Sequence, residues 1–370
     1  MASLWLSKRP AHYQPAVTPQ PPGHAHWMHV PKTGSSFTFA VAQWGCDINV
    51  TSQQDLEIVA NATFGSTSRG LSPHEVISTR CNGSFNLGGK IMWGHNPITP
   101  EHRRNLGAML FTMLREPARR TASAFSDGLF MCPELVDRHN CSHHTDPMYT
   151  AYRQDTCSVP LDCSRKKLVL AYAACVRSCG ARMLTGHTCG RGIIRRWGRS
   201  MIPIIGQGIP TKLAAELATA RSKHDPTGLS DESLDLLITA YGRLDNQTGE
   251  GQSTSAGMAL ADFASVLNDV RKGVPFVGVT DDWRRSICAF VGRYRRRFGG
   301  AGTYNIAALM TNSRPNKVPK CEAAALVALR NESWYDAAEQ ELYEAARENL
   351  EKVHKQLRGN QQYEDCLASS

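Results

Sequence analysis

The run Trp27-Met28-His29-Val30-Pro31-Lys32-Thr33-Gly34-Ser35-Ser36-Phe37 constrains the fold more than any other part of this chain. His26 to Val30 is short, apolar and bounded by Gly and Pro, the pattern of a buried strand. Past the turn, Phe37, Ala40, Val41 and Trp44 recur at i, i+3, i+4 and i+7, which is one face of a helix. A strand that passes through a small, hydroxylated, glycine-containing turn into a helix makes an anion cradle. The first N–H groups of the helix lack intrahelical partners and point, with the positive end of the dipole, at whatever sits there. Lys32 adds a point charge, and Gly34 lets the backbone approach closely. The turn departs from the G-x-x-x-x-G-K-[ST] phosphate loop, because here the lysine precedes the glycine.

Three further runs read as strands, two of them leading into helices. Gly107 to Leu114 reads as a buried strand that ends in Arg115-Glu116-Pro117, and a helical face of Thr121, Ala122, Phe125 and Leu129 follows. Pro117 suits a first helical position and Glu116 suits the dipole there. Arg115, a forked donor, and Ser123, a hydroxyl, can converge on one anion. Lys90 to His95 reads as a short strand ending in Gly94-His95, and a histidine just past a strand's carboxyl end stands where open α/β sheets bind ligands. Pro275 to Thr280 is a fourth strand. Asp281 is placed to cap the next helix, whose apolar face is Trp283, Ile287, Phe290 and Val291 and whose last turn carries Arg293, Arg295, Arg296 and Arg297. Helical patterns also cover Ser164 to Leu184 and Glu332 to Leu357, the latter with Ala346, Leu350, Val353 and Leu357 turned to a sheet.

The Pro-Lys-Thr-Gly-Ser-Ser turn resembles the 5′-phosphosulfate loop of sulfotransferases that use 3′-phosphoadenosine-5′-phosphosulfate (PAPS). Leu114 to Phe125 resembles the same family's 3′-phosphate segment, whose arginine and, eight residues on, serine fall on Arg115 and Ser123. Gly94-His95 resembles the Gly-His pair of heparan sulfate 2-O-sulfotransferase and its relatives, where the histidine is the catalytic base; the following Asn96-Pro97 departs from them. Arg182-Met183-Leu184-Thr185-Gly186 is similar to the family's helix ending in Arg-x-Leu-x-Gly. Phe276 to Cys288 resembles its late strand and helix, Asn312-Ser313-Arg314-Pro315 its nucleotide-contacting loop, and Tyr335-Asp336 with Leu342-Tyr343 its terminal helix.

The resemblance is thus to carbohydrate sulfotransferases of the heparan sulfate 2-O/6-O kind, over about residues 26–357. It implies an α/β, P-loop-like three-layer fold with a central parallel sheet flanked by helices. It also implies PAPS held by Lys32, Thr33, Gly34, Ser35, Ser36, Phe37, Arg115, Ser123 and Arg314. The sulfuryl group would move to a glycan hydroxyl, with His95 and Lys32 as catalytic residues and no metal. A tyrosyl-protein or small-molecule sulfotransferase shares both motifs. A P-loop kinase would need a Walker lysine and a magnesium-binding carboxylate, and a polyanion-binding protein without activity would not depend on Lys32.

Charge and cysteine content bear on partner and compartment. A formal charge of +9 favours anionic partners, and a polyanionic glycan with a doubly phosphorylated nucleotide fits it. No zinc-finger spacing or aromatic RNA-binding signature points to nucleic acid. Twelve cysteines and N-x-[ST] acceptors at Asn49, Asn61, Asn82, Asn140, Asn246 and Asn331 suggest a disulfide-bonded glycoprotein of the secretory pathway, and the resemblance implies the Golgi lumen. Cys46 and Cys81 suit one such bridge. Cys175, Cys179, His187 and Cys189 have zinc-ligand chemistry, with disulfides the reading set ahead of it. No run approaches the ~20 apolar residues that span a bilayer, so the N-terminal anchor usual in Golgi sulfotransferases is not expected in this chain. Residues 1–23 read as a flexible lead-in and 24–358 as a single domain, with a Cys-rich insertion at 131–164 and a helical insertion at 211–272. Residues 359–370 read as a C-terminal tail. Arg191, Arg195, Arg196 and Arg199 form a basic run suited to a polyanion groove or to a solvated face.

Overall fold

The structure, a computed structural model, describes residues 26–28, 30–31, 33, 37, 92–94, 97–98, 103–104, 110–126, 132, 135, 162–190, 194–197, 200–203, 211–223, 226–246, 260–273, 276–298 and 319–368. Six strands lie among them: β1 (His26–Met28), β2 (Met92–Gly94), β3 (Leu110–Leu114), β4 (Ile194–Trp197), β5 (Ser200–Pro203) and β6 (Phe276–Val279). β4 and β5 form an antiparallel pair, and the other four make one sheet in the order β2-β1-β3-β6, every neighbour parallel. Ten helices are described: α1 (Pro117–Ser126), α2 (Lys166–Cys175), α3 (Cys179–Leu184), α4 (Thr211–Lys223), α5 (Asp231–Asn246), α6 (Leu260–Arg271), α7 (Trp283–Phe298), α8 (Pro319–Asn331), α9 (Ala337–Leu357) and α10 (Gln361–Ala368).

The apolar strands have no polar face because both faces of the sheet are covered, as a parallel sheet requires. All five residues of β3 are buried. Phe111 pairs with Phe276 and Met113 with Gly278, so these four share a face. α7 lies on it, with the Phe290 ring 5.1 Å from Phe111 and 5.7 Å from Phe276. Phe37 completes this cluster, 6.0 Å from Phe111 and 5.1 Å from Phe290, so the first residue past the leading turn is anchored in the core. Gly278 permits the close approach, since a Cβ there would stand 2.5 Å from Met113 Sδ and 2.9 Å from Ser286 Cβ. Leu114 points the other way. A Cβ on Gly180 of α3 would meet its Cδ2 at 3.1 Å and Glu339 Oε1 of α9 at 2.9 Å, which puts α3 and α9 on the second face. α1 packs along α8, α2 on α5 and α8, and α9 on α6, α7 and β6.

Several expectations change here. The helix expected over Ser164 to Leu184 is two helices, broken at Val176–Ser178, where Ser178 adopts a left-handed φ of 57°. Asp336 holds that break by accepting from the amide and hydroxyl of Ser178, which outweighs the helical periodicity. The helix expected from Glu332 starts at Ala337 instead, N-capped by Asp336, and α8 ends ahead of it. The stretch 359–370, read as a tail, carries α10, whose Tyr363 and Cys366 are buried and whose Cys366 is bonded to Cys288 of α7. Within residues 211–272, three helices are described, α4, α5 and α6. Arg195 and Arg196, read as part of a basic run, lie in β4, which pairs antiparallel with β5, while Arg191 and Arg199 lie outside the described residues.

The eight described cysteines are joined as Cys132–Cys175, Cys163–Cys321, Cys179–Cys189 and Cys288–Cys366. The zinc alternative for Cys175, Cys179 and Cys189 is therefore overturned, because all three sulfurs are consumed in bridges. The Cys46–Cys81 pairing and most of the insertion at 131–164 lie outside the described residues, as does the lead-in 1–23. No helix among the described residues is long and apolar enough to cross a membrane.

Candidate functional site

The chain leaves β1 for β2 on one side and leaves β3 for β6 on the other, while β1 and β3 are neighbours. Connections departing in opposite directions open a crevice at the carboxyl ends of the two strands, the place where open parallel sheets bind ligands. The two turns singled out in the sequence leave from these strand ends. After β1 the chain turns sharply: Thr33 donates to the Val30 carbonyl from its amide, 3.3 Å, and from its hydroxyl, 2.6 Å. Thr33 is thereby committed to shaping the turn, and Phe37 is committed to the core. Both serve the loop by fixing where it starts and ends. Lys32, Gly34, Ser35, Ser36, His95 and Arg314 lie outside the described residues.

Arg115 stands at the end of β3, one quarter exposed, and its Nη2 donates to Glu322 Oε1 of α8 at 2.9 Å. Ser123 is buried on α1, two turns into the helix that Arg115 introduces. The N-terminus of α1 is already satisfied. Glu116 accepts from the amides of Ala118, 3.2 Å, and Arg119, 2.8 Å, the capping that the sequence anticipated for an acid at this end. An anion arriving here must therefore use side chains such as Arg115 and not the amides of α1, which Glu116 occupies.

Asp281 does something other than the capping expected of it. A 3-10 turn, Thr280–Asp282, intervenes before α7, and Asp281 Oδ2 accepts from the Glu116 amide at 3.1 Å and from the Tyr343 hydroxyl at 2.9 Å. This ties the ends of β3 and β6 together and to α9. Burial, and then the Asp281 carboxylate, push the Tyr343 hydroxyl up, so it stays a donor. Beneath the same turn a buried ion pair joins Arg120 Nε to Glu339 Oε1 at 3.3 Å, both side chains almost wholly removed from water. Glu339 Oε2 accepts from the amides of Gly180 and Ala181, and Arg120 Nη2 donates to the Val176 carbonyl. Burial pushes the Glu339 carboxyl up, while Arg120 and the two amides pull against it.

The segment past β2 is fixed from the opposite side. Ile98 donates its amide to the Met183 carbonyl at 2.8 Å, and buried Arg103 donates to the Leu184 carbonyl, Asp269 and Ser265. The last turn of α3 thus holds the chain that follows Gly94-His95. Arg182, weighed for anion contact, is buried and donates from Nε to the Thr188 carbonyl, bracing the loop closed by Cys179–Cys189. Among the described residues no three His, Cys, Asp or Glu side chains converge as a metal-ligand set.

Sequence reasoning found neither Glu322 nor Glu339, and it read Asp281 only as a helix cap. In the structure each stands near the start of a helix, where the dipole alone would account for an acid, so the long-range partner leaves no local signal. No family model, no curated protein and no solved structure matches this chain.

Proposed function

We propose that this chain is a PAPS-dependent O-sulfotransferase that acts on a glycan hydroxyl, with a P-loop-like arrangement of sheet and helices. One observation carries the reading. The turn after β1 and Arg115 after β3 leave neighbouring strands at the point where the chain's direction reverses, so one ligand can meet both. A partly exposed guanidinium beside a lysine-bearing turn suits a ligand with phosphates at two ends, and Glu116 leaves that task to the side chain.

In this reading Arg115 and Ser123 hold the 3′-phosphate, the feature that separates PAPS from ATP, and Arg314 approaches the nucleotide. Lys32 and the amides of Gly34 to Ser36 stabilise the negative charge that collects on the 5′-phosphate, while Thr33 holds the turn that presents them. The acceptor oxygen forms a bond to sulfur as the bond from sulfur to the phosphate oxygen breaks; His95 takes the hydroxyl proton, and 3′-phosphoadenosine 5′-phosphate departs with the electron pair. PAPS supplies the activated sulfuryl group; the chain's residues orient it and balance charge. Four disulfides among the described residues suit maturation in an oxidising secretory lumen, where glycan acceptors are found.

Calorimetry with 3′-phosphoadenosine 5′-phosphate and with ATP tests the assignment. The wild-type chain is expected to prefer the 3′-phosphorylated ligand, and Arg115→Ala is expected to lose ~1.5–3 kcal/mol of that binding. Equal affinity for both ligands would falsify it, and ATP preference would point to a kinase.

A further inference from the structure

We infer that Glu322 is the positioning residue for Arg115, fixing its guanidinium in the orientation that selects a 3′-phosphorylated nucleotide. The inference rests on the nucleotide reading above. The Nη2 of Arg115 meets a single carboxylate oxygen of Glu322 at 2.9 Å, which engages one donor of a group that carries five. Arg115 is 25% and Glu322 17% exposed, so the pair is largely shielded from water while Arg115 keeps some accessible surface. An arginine has a long, rotamer-rich side chain, and locking it before the ligand arrives removes an ordering cost from binding.

Glu322 is itself held firmly. The preceding residue, Cys321, is buried and bridged to Cys163 beside the start of α2. Cys321, Ala325 and Leu329 recur at intervals of four and are all buried, so α8 is seated by its core face, and it packs along α1, the helix that Arg115 leads into. The Glu116 amide is tied to Asp281, and Glu116 caps α1, so the backbone that carries Arg115 is fixed as well. Both ends of the Arg115–Glu322 contact therefore stand on rigid elements, the condition for a preorganised donor.

Two effects of the carboxylate have opposite signs, and that makes the idea testable. Orientation of Arg115 strengthens phosphate binding, whereas the negative charge of Glu322 repels the phosphate. If positioning dominates, Glu322→Ala weakens 3′-phosphoadenosine 5′-phosphate by about tenfold. Its affinity for adenosine 5′-monophosphate, which lacks the 3′-phosphate, stays within about twofold. A general loosening of the fold would weaken both ligands alike. Glu322→Gln, which keeps an acceptor oxygen, is expected to recover most of the selectivity, and Glu322→Ala adds nothing in the Arg115→Ala background. If the alanine variant fails to fold, Glu322→Asp draws the carboxylate back by one methylene and is expected to lose about threefold for the 3′-phosphorylated ligand alone. Unchanged or tighter binding of that ligand in Glu322→Ala overturns the role of Glu322, provided that the wild type selects the 3′-phosphate and Arg115→Ala abolishes the selection. A wild-type chain with no selection overturns the nucleotide reading instead.

Discussion

Arg120 and Glu339 make the most consequential contact at the scale of single residues. Arg120 Nε, Arg120 Nη1 and Glu339 Oε1 make no hydrogen bond, so the charges are balanced mainly by each other at 3.3 Å. Removing one partner leaves the other buried and uncompensated. Glu339→Ala is expected to cost about 3–5 kcal/mol in chemical denaturation, and replacing both residues by apolar ones of similar volume should cost less than either single change. Equal or greater loss in the double variant would refute the pairing. His187 gives a pH dependence with a definite sign. Burial, and then the Arg182 charge, depress its imidazole, while Asp262 pulls the other way. As pH falls through the ordinary histidine range the unfolded chain takes up a proton that the folded chain refuses, so stability is lost on acidification. The urea midpoint should therefore fall more between pH 7.5 and 5.5 in the wild type than in His187→Asn, and parallel curves would remove His187 from the account.

At the scale of elements, β3–α1 is the unit about which the others are arranged. Acids on three later segments reach it: Asp281 after β6, Glu322 on α8 and Glu339 on α9. Among the described residues exposed ion pairs join helices on the outside, with Arg165 and Lys167 of the α2 end meeting Asp231 and Asp235 of α5, and Lys166 meeting Glu332 beyond α8. These exposed pairs add little stability. The seat of α7 on β6 is tighter, because Ser286 Oγ donates to the Val279 carbonyl and accepts from its amide, both at 2.9 Å, beside Gly278. Gly278→Ala should lose about 1–3 kcal/mol of stability, since Met113 can swing aside but Ser286 Cβ cannot without moving the helix. A thermal midpoint equal to the wild type would show that α7 is not so constrained.

Across the whole molecule, the strands of the parallel sheet were legible because each is announced locally. Short apolar runs ending in Pro31-Lys32, Gly94, Arg115 and Thr280 gave β1, β2, β3 and β6 within a few residues. The break at Ser178 was not legible, because its cause is Asp336, 158 positions later. Nor was α10, whose few apolar residues are held by a bridge to Cys288 and not by periodicity. Disulfides as a class followed from composition, but their partners did not, since pairing depends on which sulfurs the packed helices bring together. By itself the sequence determined the period of its elements, the turns that end them and the chemistry available at those turns, because dihedral preference and side-chain type act within a few residues. Tertiary structure alone decided that β1 and β3 lie side by side, that Glu322 meets Arg115 and that Glu339 balances Arg120. Those contacts join residues far apart in the chain, and they form only when burial of the sheet's two faces brings their elements together.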